Sequence, residues 1–196
     1  IDLVTEILLQ PRWDEKELVL AKQRVTSQIQ QQQANPNSVA SLAFRKLIYG
    51  KDHILSNNVL GTETSVQSIT MDDLKTFYSG KFSPSRASFL VVGDIDRETA
   101  LQSLSELSKA WSPVDYAWPQ YKMAEAPEES KVYFYDVPGA KQSVLRFGYP
   151  ALVATDPDFY AVDVMNYILG GGGFASQLTQ QLREGKGYTY GIFSVF

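Results

Sequence analysis

The stretch whose reading decides the fold is Phe147–Ser194, FGYPALVATDPDFYAVDVMNYILGGGGFASQLTQQLREGKGYTYGIFS. Asp156-Pro157 marks a helix start, because proline suits the first helical position, where an N–H would lack a partner anyway. Tyr160, Val164 and Ile168 follow at helical spacing up to Gly170–Gly173. A second helix is expected from about Ala175 to Glu184, then an aromatic strand from Tyr188 to Phe196. Just upstream, Lys131–Val137 and Ser143–Tyr149 read as strands joined by a Pro-Gly turn. The sequence stops inside the last expected strand, so the parent protein is expected to continue.

Working outward, residues 113–129 combine Pro113, Pro119 and Pro127 with aromatics and the acidic Glu125, Glu128 and Glu129, which reads as an interdomain connector. Before it, residues 70–111 read as helix–strand–helix. Thr70 caps a helix carrying Leu74, Phe77 and Tyr78, the apolar run Ser88–Gly93 fits a buried strand, and Asp96 caps a helix with Leu101, Leu104, Leu107 and Trp111 on one face. Residues 49–69 read as an irregular loop. Residues 1–48 read as helical. Leu18, Val25 and Ile29 fall at helical spacing, Asp14 and Glu17 form a variant capping box, and Asn35-Pro36-Asn37-Ser38 separates two helices. The glutamines at 30–33 are taken as a solvated helix face.

The 196 residues are 44% hydrophobic, enough for one large domain or two small ones. Net charge is −4 and no Lys/Arg run stands out, so the electrostatic footprint of nucleic-acid binding is missing. No apolar stretch reaches the roughly 20 residues of a membrane-spanning helix. Cysteine is absent, which excludes disulfides and thiolate chemistry, and histidine occurs once, at His53. An open zinc site usually takes two or three His ligands, or His with Cys, and this composition cannot supply them.

Candidate chemistry is sparse. His53 lies in a polar loop and reads as a loop anchor; as a metal ligand it has no companion at a recognised spacing. Gly170–Gly173 follows a helix, not a strand, so it is no phosphate cradle. It is either a tight helix–helix turn needing positive φ or a backbone patch that an extended peptide can approach. The carboxylate pairs Asp72/Asp73, Asp94/Asp96 and Glu128/Glu129 read as helix N-terminal or loop charge, because none sits in an apolar setting that would raise a pKa. Arg183 and Tyr190 flank the short turn Glu184–Gly187. From spacing they are either a surface Arg beside a core Tyr, or two donors brought toward one spot, able to polarise a carbonyl.

Two stretches carry a resemblance: Phe44–Asp96 (FRKLIYGKDHILSNNVLGTETSVQSITMDDLKTFYSGKFSPSRASFLVVGDID) and Phe147–Ser194, quoted above. Together they resemble the insulinase/pitrilysin family of inverted-motif zinc peptidases, which includes the mitochondrial processing peptidase. The resemblance implies an α+β fold of two sandwich domains, each with helices on a mostly antiparallel sheet and both incomplete. Residues 1–112 would end the first domain and 130–196 would begin the second, with 113–129 between them.

The family's catalytic half carries H-x-x-E-H on a helix, with a further ligand Glu downstream. No such motif occurs here. The helix WDEKELVLAKQRVTSQIQQQQ resembles the downstream one, with Gln28 where the ligand Glu is expected and Ala21 at the supporting acidic position. A neutral amide is a poor substitute for a carboxylate facing zinc. In the family's inactive half, an R-x-x-x-G-x-x-Y pattern supplies an Arg and a Tyr to the partner's site, and Arg183, Gly187 and Tyr190 match it. The resemblance thus implies a non-catalytic chain that handles an extended peptide through Arg183, Tyr190, Gly171 and Gly172. The chain would hold no cofactor itself, with zinc in an active half on the same polypeptide or a separate subunit. Such a protein would be soluble, bacterial, and periplasmic or cytoplasmic. The alternatives are a piece of an active peptidase whose zinc motif lies elsewhere, and a structural subunit like the respiratory core proteins.

Overall fold

The computed structural model describes residues 1–117, 119–121, 124–125 and 128–196. Positions 118, 122, 123, 126 and 127, all within the expected connector, lie outside the described residues. The chain forms two compact units, one of Ile1–Met123 with Val137–Arg146, the other of Ala124–Asp136 with Phe147–Phe196.

The first unit is helical: α1 (Asp2–Leu9), α2 (Glu15–Ala34), α3 (Pro36–Tyr49), α4 (Glu63–Ser68), α5 (Met71–Lys81), α6 (Arg97–Ser103) and α7 (Ser105–Ala110). Asp14 caps α2, its side chain accepting from Lys16 N. Asn35 closes α2 and caps α3, where Pro36 takes the first turn. The buried apolar side chains are Ile29, Val66, Met71 and Leu107. Around Ile29, one face of α2 grips α4 and the loop before it. Lys22 Nζ donates to Gln67 O at 2.9 Å, Gln67 Nε2 to Thr26 at 3.3 Å, and Asn58 Nδ2 to Gln32 at 3.0 Å. The expected irregular loop therefore contains a helix, α4, with its own Thr62/Ser65 capping box. Aromatic rings continue the packing, with Tyr78 between Trp13 (5.5 Å, edge-on) and Phe82 (5.4 Å, stacked). The helix expected after Asp96 breaks in two at Leu104, which closes α6 and opens α7.

In the second unit, α8 (Phe159–Asn166) begins later than Asp156-Pro157 suggests. The Asp156 side chain instead accepts from Asp158 N at 2.9 Å, so Pro157 lies in the turn before the helix. A π-helical turn, Tyr167–Gly171, extends α8, and a second π-helical segment runs Thr179–Gly185.

The α+β expectation is corrected by the structure, because the described residues contain no strand and hence no sheet for helices to cover. Ser88–Gly93 is not a buried strand; Leu90 and Val92 are 89% and 91% exposed. Lys131–Val137, Ser143–Tyr149 and Tyr188–Phe196 likewise form no ladder, and Val132 and Phe134 stand 96% and 88% exposed. The Pro-Gly turn does close, with Ala140 N donating to Val137 O at 3.1 Å. Apolar, β-branched and aromatic residues make a segment able to join a sheet, but only a neighbouring backbone in register makes it a strand.

Two expectations follow for stability. Ile29, 2% exposed, is the most buried apolar side chain among the described residues; Ile29→Ala should cost about 2–5 kcal/mol in urea unfolding of the intact protein. The Thr70 hydroxyl and backbone N–H donate to Asp73, each at 2.7 Å, and hold its carboxyl below the ordinary 3.8. Thr99 N–H and hydroxyl do the same for Asp96. Carboxyls whose pKa is lowered on folding add stability that is complete above the unfolded value and lost as pH falls through the folded one. The acid limb of a stability–pH profile below about pH 4 should therefore be shallower in Asp73→Asn/Asp96→Asn than in the wild type.

Candidate functional site

The second unit buries polar groups where a core would bury hydrocarbon: its buried residues among those described are Asn166, Gly170, Ser176 and Thr179. Ser194 Oγ donates to Asn166 Oδ1 at 2.6 Å. The Ser176 hydroxyl lies 2.8 Å from the Gly173 carbonyl and 3.0 Å from the Thr179 hydroxyl, itself 3.4 Å from the Ile192 carbonyl. Buried polar groups stay buried only if partnered, and here the partners tie residues 192–194 back onto the glycine turn. Gly170 touches Ser194 so closely that an added Cβ would lie 2.6 Å from its backbone nitrogen.

This explains three of the glycines. At Gly171 an added Cβ would lie 3.1 Å from Asn166 Nδ2, and at Gly172 it would lie 2.7 Å from the Tyr167 carbonyl. All three make close approaches to their own chain. Within the run only Gly173 has positive φ, at 59°. The backbone of Gly171 is nonetheless at the surface, and that of Gly172 is half-buried.

Arg183 and Tyr190 are brought together. The segment Thr179–Gly185 ends in a reversal in which Gly187 N donates to Arg183 O at 3.0 Å and Tyr188 N to Leu182 O at 2.9 Å. This is the glycine-ended helix stop widened by one residue, as a π-helix requires, and Gly187 takes the left-handed conformation at φ 64°. The chain returns alongside the helix it has left. The Arg183 guanidinium carbon then sits 5.0 Å from the Tyr190 ring centroid and 4.7 Å from that of Phe174. Cation–π attraction of this kind is worth about 0.5–2 kcal/mol per ring. Arg183 Nε is 3.4 Å from Glu184 Oε1, and its side chain is 27% exposed. Phe174 escaped the sequence reading. The signal available was an aromatic between the glycines and the helix, but aromatics abound here and spacing did not single it out.

Gln28 is exposed, on a face of α2 shared with Leu20, Arg24, Ser27 and Gln31 and turned from the one that packs on α4. His53 is a loop anchor: its Nδ1 accepts from Leu55 N at 3.1 Å and its ring stacks on Tyr49 at 5.2 Å. That bond occupies one ring nitrogen, and among the described residues no three His, Asp or Glu side chains converge as a metal site needs. The donor set does not fit zinc. No helix among the described residues is long and apolar enough to cross a membrane.

Among the described residues, the helical scaffold gathers no three-ligand metal cluster and places Arg183 between two aromatic rings near a glycine turn. The comparisons give the family. Residues 68–196 match the family described as Peptidase M16 inactive domain, and the chain belongs to that family. A solved peptidase M16 inactive domain from Pseudomonas fluorescens superposes with a TM-score of 0.79 at 28% identity, over 100% of this chain and 46% of that one. An uncharacterized zinc protease of Streptomyces coelicolor is 26% identical over 99% of this chain and 43% of its own length. YmxG of Bacillus subtilis, also named an uncharacterized zinc protease, is 26% identical over 99% and 46%. The Helicobacter pylori protein named non-peptidase homolog YmxG is 26% identical over 98% and 44%. The chain thus spans less than half the length of these relatives.

Gly170→Ala should destabilise the intact protein by about 1–3 kcal/mol, because the added methyl meets backbone that cannot rotate away. Ser194→Ala should cost a similar ~1–3 kcal/mol by stranding buried Asn166. Urea unfolding checks both, with Gly191→Ala, which meets open space, as the neutral control.

Proposed function

We propose that this chain is the substrate-handling, non-catalytic part of an M16-type zinc endopeptidase. It lines the chamber and offers Arg183 and Tyr190 to a carbonyl of an extended peptide, near zinc held by an active half. Residues 1–112 and 130–196 would belong to successive domains of this non-catalytic part. The observation that carries the reading is the Arg183–Tyr190 contact at 5.0 Å on the Gly187 reversal. A guanidinium fixed by stacking loses little freedom when it binds, and its N–H donors and the Tyr hydroxyl are the kinds of group that stabilise a developing oxyanion. The exposed backbone at Gly171, with half-buried Gly172 beside it, gives an extended chain somewhere to lie.

A second reading has one observation in its favour, the zinc-protease names of six relatives. It makes the chain a segment of a peptidase that is active by itself, with its zinc helix elsewhere in the polypeptide. Gln28 in place of a ligand carboxylate favours the first reading.

The test pairs the intact protein with its active half and follows peptide cleavage. Arg183→Ala with Tyr190→Phe should lower kcat about a hundredfold or more, the scale of losing oxyanion donors. Unchanged cleavage refutes the assigned role, and stoichiometric zinc in the intact chain without a partner favours the second reading.

A further inference from the structure

Four rings follow one another across the first unit, the longest such succession among the described residues. Trp13 lies edge-on to Tyr78 at 5.5 Å, Tyr78 stacks on Phe82 at 5.4 Å, and Phe82 tilts against Trp111 at 5.5 Å. Tyr78 and Phe82 stand at i and i+4 around the end of α5, which puts both on one face of that helix. At one end of the row the Tyr78 hydroxyl donates to the Leu8 carbonyl on α1. At the other end Trp111 closes α7 and leads into residues 112–116. Tyr78 and Trp111 are half-buried, unlike the many apolar side chains that stand in solvent.

Residues 112–116 lie in no helix or strand, yet they are fastened to the end of α5. Trp111 Nε1 donates to Phe82 O at 3.4 Å, Val114 N to Ser83 Oγ at 2.9 Å, and Arg86 Nη2 to Tyr116 O at 3.0 Å. Ser83 is 5% exposed, so the Val114 N–H reaches a buried acceptor. Lys81 Nζ lies 3.5 Å from the Tyr116 ring centroid, a cation–π contact. A segment held by a handful of contacts opens locally, at a free energy below that of global unfolding. Its anchors Lys81, Phe82, Ser83 and Arg86 begin within one helical turn of Tyr78, the residue that also holds α1.

We propose that residues 111–116 form a strap over the end of α5, and that its opening is coupled to α1 through the row Trp13–Tyr78–Phe82–Trp111. Trp13 orients the Tyr78 ring, Tyr78 supports Phe82, and Phe82 gives Trp111 its seat. Loosening the α1 end of the row therefore frees residues 113–116, where the connector begins. The coupling is reciprocal, as a coupling free energy must be. It does not depend on the peptidase reading.

The test is amide hydrogen exchange at single-residue resolution in the intact protein. Val114 N–H reports the strap, and Gln10 N–H, bonded to Glu6 O at 2.8 Å, reports α1. Val66 N–H, bonded to Thr62 O at 2.9 Å, is the control outside the row. Ser83→Ala, which removes the acceptor, should speed exchange at Val114. Trp13→Ala should speed it roughly three- to tenfold, the worth of one ring pair, and leave Val66 within about twofold. Trp111→Ala should speed Gln10 by a similar factor. Phe82→Leu keeps apolar bulk without a ring, and in that background Trp13→Ala should no longer move Val114. If Trp13→Ala fails to fold, Trp13→Leu carries the same reading. Val114 exchange that ignores Ser83→Ala overturns the strap. Val114 exchange that ignores the Trp13 substitution, or equal acceleration at Val66, overturns the coupling.

Discussion

The second unit depends on the hydrogen bond from Ser194 to Asn166 beneath Gly170. Among the described residues this unit buries no large apolar side chain. Half-buried apolar side chains such as Leu169, Leu182 and Ile192 are accompanied by directional polar contacts that tie the last residues to the glycine turn. Ser176 and Thr179 reinforce the first bond by reaching Gly173 and Ile192. Between the Gly187 reversal and the tied residues 192–194, the Tyr190 ring centroid comes within 5.0 Å of the Arg183 guanidinium carbon.

The same economy explains the glycines. A run such as Gly170–Gly173 invites a flexible-loop reading, but it is a tightly packed corner where added methyls at three positions would meet Ser194, Asn166 and Tyr167. The requirement for glycine comes from the chain's own backbone. That leaves the exposed edge of the corner compatible with a bound peptide without making peptide binding the reason for the glycines.

The first unit is more conventional. One face of α2 carries Ile29 into the apolar core and uses Lys22, Thr26 and Gln32 to hold α4 and its loop. Gln28 falls on another face, at the surface. Residues that hold the helix and Gln28 are thus separated by helical periodicity, so a substitution at Gln28 leaves the packing of α2 intact.

The sequence by itself determined the helices whose signals are local. Asp14, Thr70 and Asp96 cap where their side chains reach a nearby N–H, and such contacts need no distant partner; Asn35, read as a break before a helix from about Val39, instead caps α3 from Pro36. The sequence also showed that a zinc site of the usual kind, with two or three His or with His and Cys, cannot be assembled from one histidine and no cysteine. The family was legible in the motifs around Gly170 and Arg183. Only the tertiary structure decided that the expected strands do not pair among the described residues, since a strand is a relation between two backbones and no alternation of side chains supplies the second. Only the tertiary structure, too, put Phe174 against Arg183. Nothing local links those side chains; the polar knot around Ser176 and the reversal at Gly187 bring them together.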